Sequence, residues 1–307
     1  MRINNPMTVQ RQARCLRGCA ALLVLLALPR PAASQSIEDV AGSYIGANAN
    51  GYFGPLAQVL TASLNSGFIG PVPPTHGFSI RIGAVVPSMI IGDGQRTFTA
   101  TTGEGFRPAK TVQAPTIMGS ATPLVVEGEG GSGFILPAGM DISRVSLAVP
   151  QITIGGIAGT EATIRWLGIS TNEELGKLKL GGLGVRQNLA PFLPDLPVDL
   201  ALGVMYNKLE LGTTLDVAAK LITLQASRHV GWFDLYGGLG YEDATAKLRY
   251  DNVAAESGQV EVDLEGVKGL RGTGGFALQL PLIALRADLT LGSQTVVGLG
   301  LSLGTRY

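Results

Sequence analysis

Reactive side chains are sparse in this sequence, and their neighbours argue against catalysis. There are two histidines. His76 stands just after Pro73 and Pro74, and His229 follows Arg228 at an expected hairpin turn. Ser227 lies near His229, but a nucleophile needs a base that is itself held in place, and closeness in sequence supplies neither. The glycines of GEGGSG (128–133) are not followed by Lys-Ser/Thr and do not lead from a strand into a helix, so they form no phosphate cradle. No HExxH, EF-hand loop or cysteine cluster points to a metal. The expectation is a chain that is not an enzyme, with no catalytic residue, no cofactor and no metal.

The charged residues say more, through their spacing. In 160–169, Glu161, Thr163 and Arg165 oppose Ala162, Ile164 and Trp166. In 175–180, Lys177 and Lys179 oppose Leu178 and Leu180. In 282–292, Arg286 and Asp288 oppose Ile283, Leu285, Ala287, Leu289 and Leu291. This period of two belongs to strands with one apolar face. If that face meets lipid, the charges must turn inward, because a charge at mid-bilayer costs about 2–4 kcal/mol. Arg165, Lys177, Lys179, Arg286 and Asp288 are therefore the lumen-facing candidates of a barrel. They would either guide a solute or brace the interior as ion pairs, and their mixed signs favour bracing.

The elements that must position them follow the same period. From Ser143 onward eleven segments alternate regularly, joined mostly by hairpin-length connections, with the proline-rich NLAPFLPDLP (188–197) as a turn or short helix at a rim. In the last, VGLGLSLGTRY, Val297, Leu299, Leu301 and Leu303 alternate with small residues, and Tyr307 ends the chain in phase. These five residues are expected to form the lipid-facing closing strand and the C-terminal signal read by barrel-assembly machinery. Strand-like alternation starts at Phe78–Ile82, weakens from Pro87 to Gly139, and leaves short extended pieces at 95–102 and 115–120. Counting these weaker pieces, the spacing predicts an all-β, transmembrane antiparallel barrel of about 14 strands, with 12–14 as the range, since single-chain bacterial barrels have even numbers.

One helix is expected, over 52–66. Pro55 suits its first turn, Asn65 and Gly67 suit its end, and Leu56, Val59, Leu60 and Leu64 share one face. Ahead of the first strand, it would be a plug in the lumen or a cap on it, preceded by an exposed leader at 35–50.

The N-terminus has the order of an export signal. Arg2, Arg11, Arg14 and Arg17 precede the apolar run 20–28, and Ala32-Ala33-Ser34 offers cleavage before Gln35. The expected divisions are a signal peptide at 1–34, a leader with plug or cap helix at 35–76, and a barrel at 77–307. Cys15 and Cys19 both lie in the signal, so the exported chain would use no disulfide. Residues 1–34 hold five arginines and no acid, which leaves 18 basic against 23 acidic residues and a formal charge of −5. With no basic stripe either, nucleic acid is not an expected partner. The chain is 46% hydrophobic and 15% charged, yet no segment beyond the signal holds the 18 or so consecutive apolar residues of a spanning helix, which suits a barrel. Aromatics, at 6%, are few for a barrel with full aromatic girdles, so Leu and Val must carry most of the lipid contact.

From Tyr52 onward the ordered stretches YFGPLAQVLTASLNSG, GFSIRIG, GTEATIRWL, GLGVRQNLAPFLPDLPVDLALGVMY, ASRHV and DLYGGLGYEDATAKLRY resemble an uncharacterised family of Gram-negative outer-membrane barrels, a domain of unknown function. The layout of a leading helix before the strands also looks like FadL-type fatty-acid channels and their PorV-like relatives, without the Asn-Pro-Ala start of the former. The resemblance implies an outer-membrane location with lipid and assembly machinery as partners. Two functions stay open, a leading one and its alternative. One is a passive channel for small hydrophobic or weakly polar solutes, gated by the helix. The other is a structural or assembly barrel whose sealed lumen anchors partner proteins through its loops. A channel requires a continuous path or an apolar pocket, whereas an anchor requires a solid interior.

Overall fold

A computed structural model describes residues 47–103, 106–170, 176–193, 196–251 and 259–305. The expected signal peptide, most of the leader and Tyr307 lie outside these residues. The chain begins with helix α1 (Ala47–Asn65) and then reaches strand β1 (Ser79–Ile90). Two small hairpins follow, β2 (Thr97–Thr101) with β3 (Thr111–Pro115), and β4 (Leu124–Glu127) with β5 (Gly133–Leu136). The rest is antiparallel strand: β6 (Arg144–Ser146), β7 (Val149–Ile157), β8 (Thr160–Ser170), β9 (Lys177–Asn188) and β10 (Asp199–Leu211). Then come β11 (Leu215–Val230), β12 (Phe233–Asp251), β13 (Gln259–Gln279), β14 (Ile283–Leu291) and β15 (Val296–Gly304).

Among the described residues, ten strands close into a barrel, β1 with β7 to β15, sealed where β15 pairs with β1 from Arg81↔Gly304 to Met89↔Val296. The short β6 lies outside this count and pairs with β1 beyond the point where β7 begins. The expected 14 strands are thus corrected to ten, for two physical reasons. Segments 230–242 and 244–251 are one strand, β12, and segments 258–267 and 270–280 are one strand, β13. What reads as a turn between them is a bulge: Asp243 opposes Lys268 but Thr245 opposes Glu265, so β13 carries an extra residue and Gly269 sits at φ 125°. In addition, the weak pieces at 95–102 and 115–120 never join the wall. The two small hairpins build a head over one mouth of the barrel, and 115–120 is not a strand.

The barrel has two unlike rims. At the lower rim β1 begins, β15 ends, and turns such as Ala158–Gly159 and Gly231–Trp232 are tight. The upper rim carries residues 91–103 and 106–143, the head, and the ends of the long strands. The outer wall alternates as the period demands. Ile82, Ile164, Leu183, Val204, Ile222, Leu239, Leu270, Leu285 and Leu301 all point outward and are exposed. On β15, Val297, Leu299, Leu301 and Leu303 are exposed while Val296 is buried. Together these side chains make an apolar belt around the wall, far larger than the scattered apolar patches of a water-soluble surface.

The belt has a sharp upper edge. Trp166, Tyr206 and Tyr241 face outward at that edge. The next outward positions are Lys208, Lys220, Asp243 and Lys268. Strands β12 and β13 are 19 and 21 residues long, and their upper halves stand above this belt.

Helix α1 is longer than expected and starts at Ala47, which places Pro55 inside it rather than in its first turn. Pro55 still forfeits a hydrogen bond there, to the carbonyl four residues back, at Gly51. Burial of the helix compensates, since Tyr52, Phe53, Ala57, Val59, Ala62 and Leu64 lie in one cluster with wall and head residues. That cluster includes Leu180, Leu209 and Val217 of the wall and Ala100, Ile117, Met118 and Leu136 of the head. The upper storey of the lumen is therefore a hydrophobic core with the helix as its axis.

Candidate functional site: the lumen and its occupant

Below the helix the lumen changes character. The chain leaves α1 at Asn65 and runs down the barrel as SGFIGPVPP (66–74), a stretch with three prolines and no regular structure. Its main-chain groups have no ladder to join, and wall side chains satisfy several of them. Arg165 of β8, 1% exposed, donates to Leu64 O at 2.7 Å and to Ser66 O at 2.9 Å. Asn207 of β10 donates to Leu64 O at 2.9 Å. Arg286 of β14 donates to Gly67 O. Arg186 of β9 donates to Pro71 O at 3.1 Å, and Asn188 to Pro73 O at 2.6 Å. In the other sense, Gly70 N–H donates to Gln225 Oε1 at 3.3 Å and Val72 N–H to Ser227 Oγ at 2.9 Å.

Acids set among the arginines hold this collar. Glu161 accepts from Arg81 at 2.9 Å and from Arg186 Nε at 2.9 Å. Glu242 pairs with Arg271 at 2.8 Å, and Arg271 reaches Ser66 Oγ at 3.2 Å. Asp288 accepts from Tyr236 Oη at 3.0 Å. A buried ion pair is held less by net Coulomb gain than by its further hydrogen bonds. Arg186 adds Pro71 O and Gln225 Oε1, and Arg271 adds Ser66 Oγ but keeps its Nε buried without a partner among the described residues.

Two side chains of the strap are gripped as well. Phe68 packs on Met205 and Leu221 beneath Arg186, whose guanidinium carbon lies 6.0 Å from the ring centre. Its notch exists because the wall is glycine there. A Cβ on Gly184 would come within 2.6 Å of the ring, and one on Gly203 within 2.9 Å. Ile69 packs against Tyr236 and Ala277. The glycines of β15, by contrast, do not face the helix. Side chains from the neighbouring strand fold over them, Asp288 on Gly298 and Arg286 on Gly300.

The expected site residues therefore divide. Arg165, Arg286 and Asp288 lie in the lumen; the two arginines bond the strap, and Asp288 bonds Tyr236 of the wall. Lys177 and Lys179 are a correction: both are exposed on the outer wall, while Leu178 and Leu180 turn inward onto the core. The lipid penalty that argued for an inward position does not arise, because this end of β9 lies above the apolar belt. On α1, Val59 and Leu64 are buried, and Leu56 and Leu60 are partly buried against the same core. Of the closing strand, Tyr307 falls outside the described residues.

Arg81, Arg186, Glu242, Arg271 and the strap itself were not singled out from the sequence. A signal for Arg186 existed. Leu183 and Val185 set the outward phase of β9 and put Gly182, Gly184 and Arg186 on the inner face, against the phase suggested by the lysines.

At the lower rim a vestibule of about 390 Å³ opens among Pro71–Thr75, Arg81, Asn188, Ser227, His229 and Asp234. A second cavity of about 50 Å³ continues it inward, lined by Gly67, Phe68, Arg81, Glu161, Arg186 and Arg286. His229 pairs with Asp234 at 2.6 Å at this mouth. The Ser227 hydroxyl is engaged by the strap, as the contact with Val72 records.

The model of a family of unknown function, DUF6588, matches residues 15–305. Among solved structures the chain is similar to OmpT, an outer membrane protein of Vibrio cholerae in its in-vitro folded trimer form. The identity is 9% over 74% of this chain and 99% of that one, with a TM-score of 0.26. A chain from work described as "Asymmetric conductivity of engineered proteins" is also 9% identical over 74% of this chain and 100% of its own, with a TM-score of 0.17. No curated protein matches.

Proposed function

The chain belongs to that family, which brings no activity with it, and from the geometry we propose an outer-membrane barrel sealed by its own N-terminal segment. Its task in this reading is to hold the head and the start of α1 at one membrane face, as an anchor for partner proteins, rather than to pass solutes. The observation that carries the proposal is the collar. Leu64, Ser66, Gly67, Pro71 and Pro73 each give a carbonyl to a wall side chain, and the donors come from β8, β9, β10 and β14. A gate meant to swing would not be tied on so many sides. The membrane setting is supported by the apolar belt and its aromatic edge. The gated-channel reading draws on the vestibule, whose inner cavity abuts Arg186, Arg286 and Phe68 of the collar.

Purified protein is expected to migrate differently on SDS gels before and after boiling, as strand-built barrels do. In the unboiled form a cysteine replacing Leu64, 1% exposed, should resist a water-soluble maleimide, whereas one replacing Asn50, on the exposed side of α1, should react quickly. Equal labelling of both positions would mean that the helix is not docked, and the sealed-barrel proposal would fail.

A further inference from the structure

We infer that this chain crosses the membrane inside its own barrel, so that the first turn of α1 stands on the outer face and β1 begins on the periplasmic one. The membrane setting is that of the proposed function; the crossing itself is written in the contacts. At the upper rim Asn48 exchanges hydrogen bonds of 2.8 and 3.0 Å with Thr101 of the head, and Tyr52 Oη donates to Ala138 O at 2.7 Å. Midway down, Leu64 and Ser66 meet Arg165. Pro73 then meets Asn188, the last residue of β9 at the lower rim. Ser79 starts β1 at that same rim, where Arg81 pairs with Gly304 at the end of β15. Ala47 and Gly304 therefore lie at opposite ends of the barrel.

Orientation follows from the connections. At the lower rim the connections are two tight turns, Ala158–Gly159 and Gly231–Trp232, a short one at 280–282 and one of ten residues at 189–198, whereas the upper rim carries the much longer 91–148 connection with the head. Barrels keep short turns in the periplasm and long connections outside. The amino-terminal side of α1 is thereby placed outside.

The lumen is also built for a particular kind of occupant. The collar's Arg165, Arg186, Arg286, Asn188 and Asn207 donate to main-chain carbonyls of the strap, and Gln225 and Ser227 accept main-chain N–H groups. Such a set recognises extended polypeptide, with Phe68 and Ile69 as its buried side-chain contacts. The occupant is a tethered peptide, and during assembly either the barrel closes around it or it is drawn through.

Three single cysteines test this, at Asn50, at Thr213 in the upper hairpin and at Trp232 in the lower turn; the last two positions are exposed. Intact cells are treated with a membrane-impermeant maleimide, and the labelled protein is recovered from the outer-membrane fraction. Asn50→Cys and Thr213→Cys should label to similar extents, and Trp232→Cys should label only after permeabilisation. Labelling of Thr213→Cys with a silent Asn50→Cys would overturn the crossing. Labelling of Trp232→Cys with Asn50→Cys and Thr213→Cys silent would overturn the outward placement. Loss of all three variants from the outer-membrane fraction, with the unaltered chain also absent from it, would instead remove the membrane setting and the inference with it.

Discussion

Glu161→Gln is expected to destabilise the barrel by about 3–5 kcal/mol, the usual cost of removing one partner from a buried ion pair. Glu161 is 1% exposed and lies between Arg81 and Arg186. The amide keeps the shape of the carboxylate but loses its charge, so two guanidiniums are left facing each other across a neutral group. Arg186 would be displaced in turn from Pro71 O and Gln225 Oε1, each 3.1 Å away. The strap would loosen at its lower half first. The double variant Glu161→Gln with Arg186→Gln should recover part of the loss, because the second change removes one of the stranded charges. Urea unfolding of purified protein in lipid, followed by Trp166 and Trp232 fluorescence, measures both. An unchanged midpoint for Glu161→Gln would show that the collar is not a structural brace.

Leu301→Arg should be almost as damaging for a different reason. Leu301 points outward near the middle of β15, between Ala84 of β1 and Leu285 of β14. An arginine at the bilayer midplane costs about 2–4 kcal/mol. The same change at Ala218, on the outer side of β11 beyond Lys220, lies above the apolar belt and should cost little, within the roughly 0.5 kcal/mol usual for surface changes. The contrast separates lipid burial from any general intolerance of arginine in a strand. Similar unfolding free energies for the two variants would mean that the exposed belt is not what lipid covers.

Much of this architecture is legible in the residues, and the failures have physical causes. The outward phase of β14 and β15 follows from unbroken alternation of leucine with small or polar residues, which only one register satisfies. The C-terminal half of α1 follows from its helical spacing, but its start does not, because Pro55 imitates a first turn and the burial that tolerates it is tertiary. Strand number is misread at Asp243 and Gly269, since a bulge and a hairpin use the same residue types and differ only in pairing. The inner phase of β9 is misread because a charge reports a lumen only within the apolar belt, and Lys177 and Lys179 lie beyond it. The collar is the least legible part. Its ligands are main-chain carbonyls of residues 64–73, and a carbonyl carries no sequence signature. The arginines announce a need for partners without saying that the partner is the chain's own backbone.

Sealing of the lumen by residues 47–74 is the central claim, and single-channel recording in planar bilayers tests it most directly. The full chain should give no steady conductance at low voltage. A variant lacking residues 47–74 should give stable open steps, with a preference for anions. The uncovered wall would bear Arg81, Arg165, Arg186, Arg271 and Arg286 against Glu161, Glu242 and Asp288. Steady, ohmic conductance from the full chain, equal to that of the shortened one, would contradict the account.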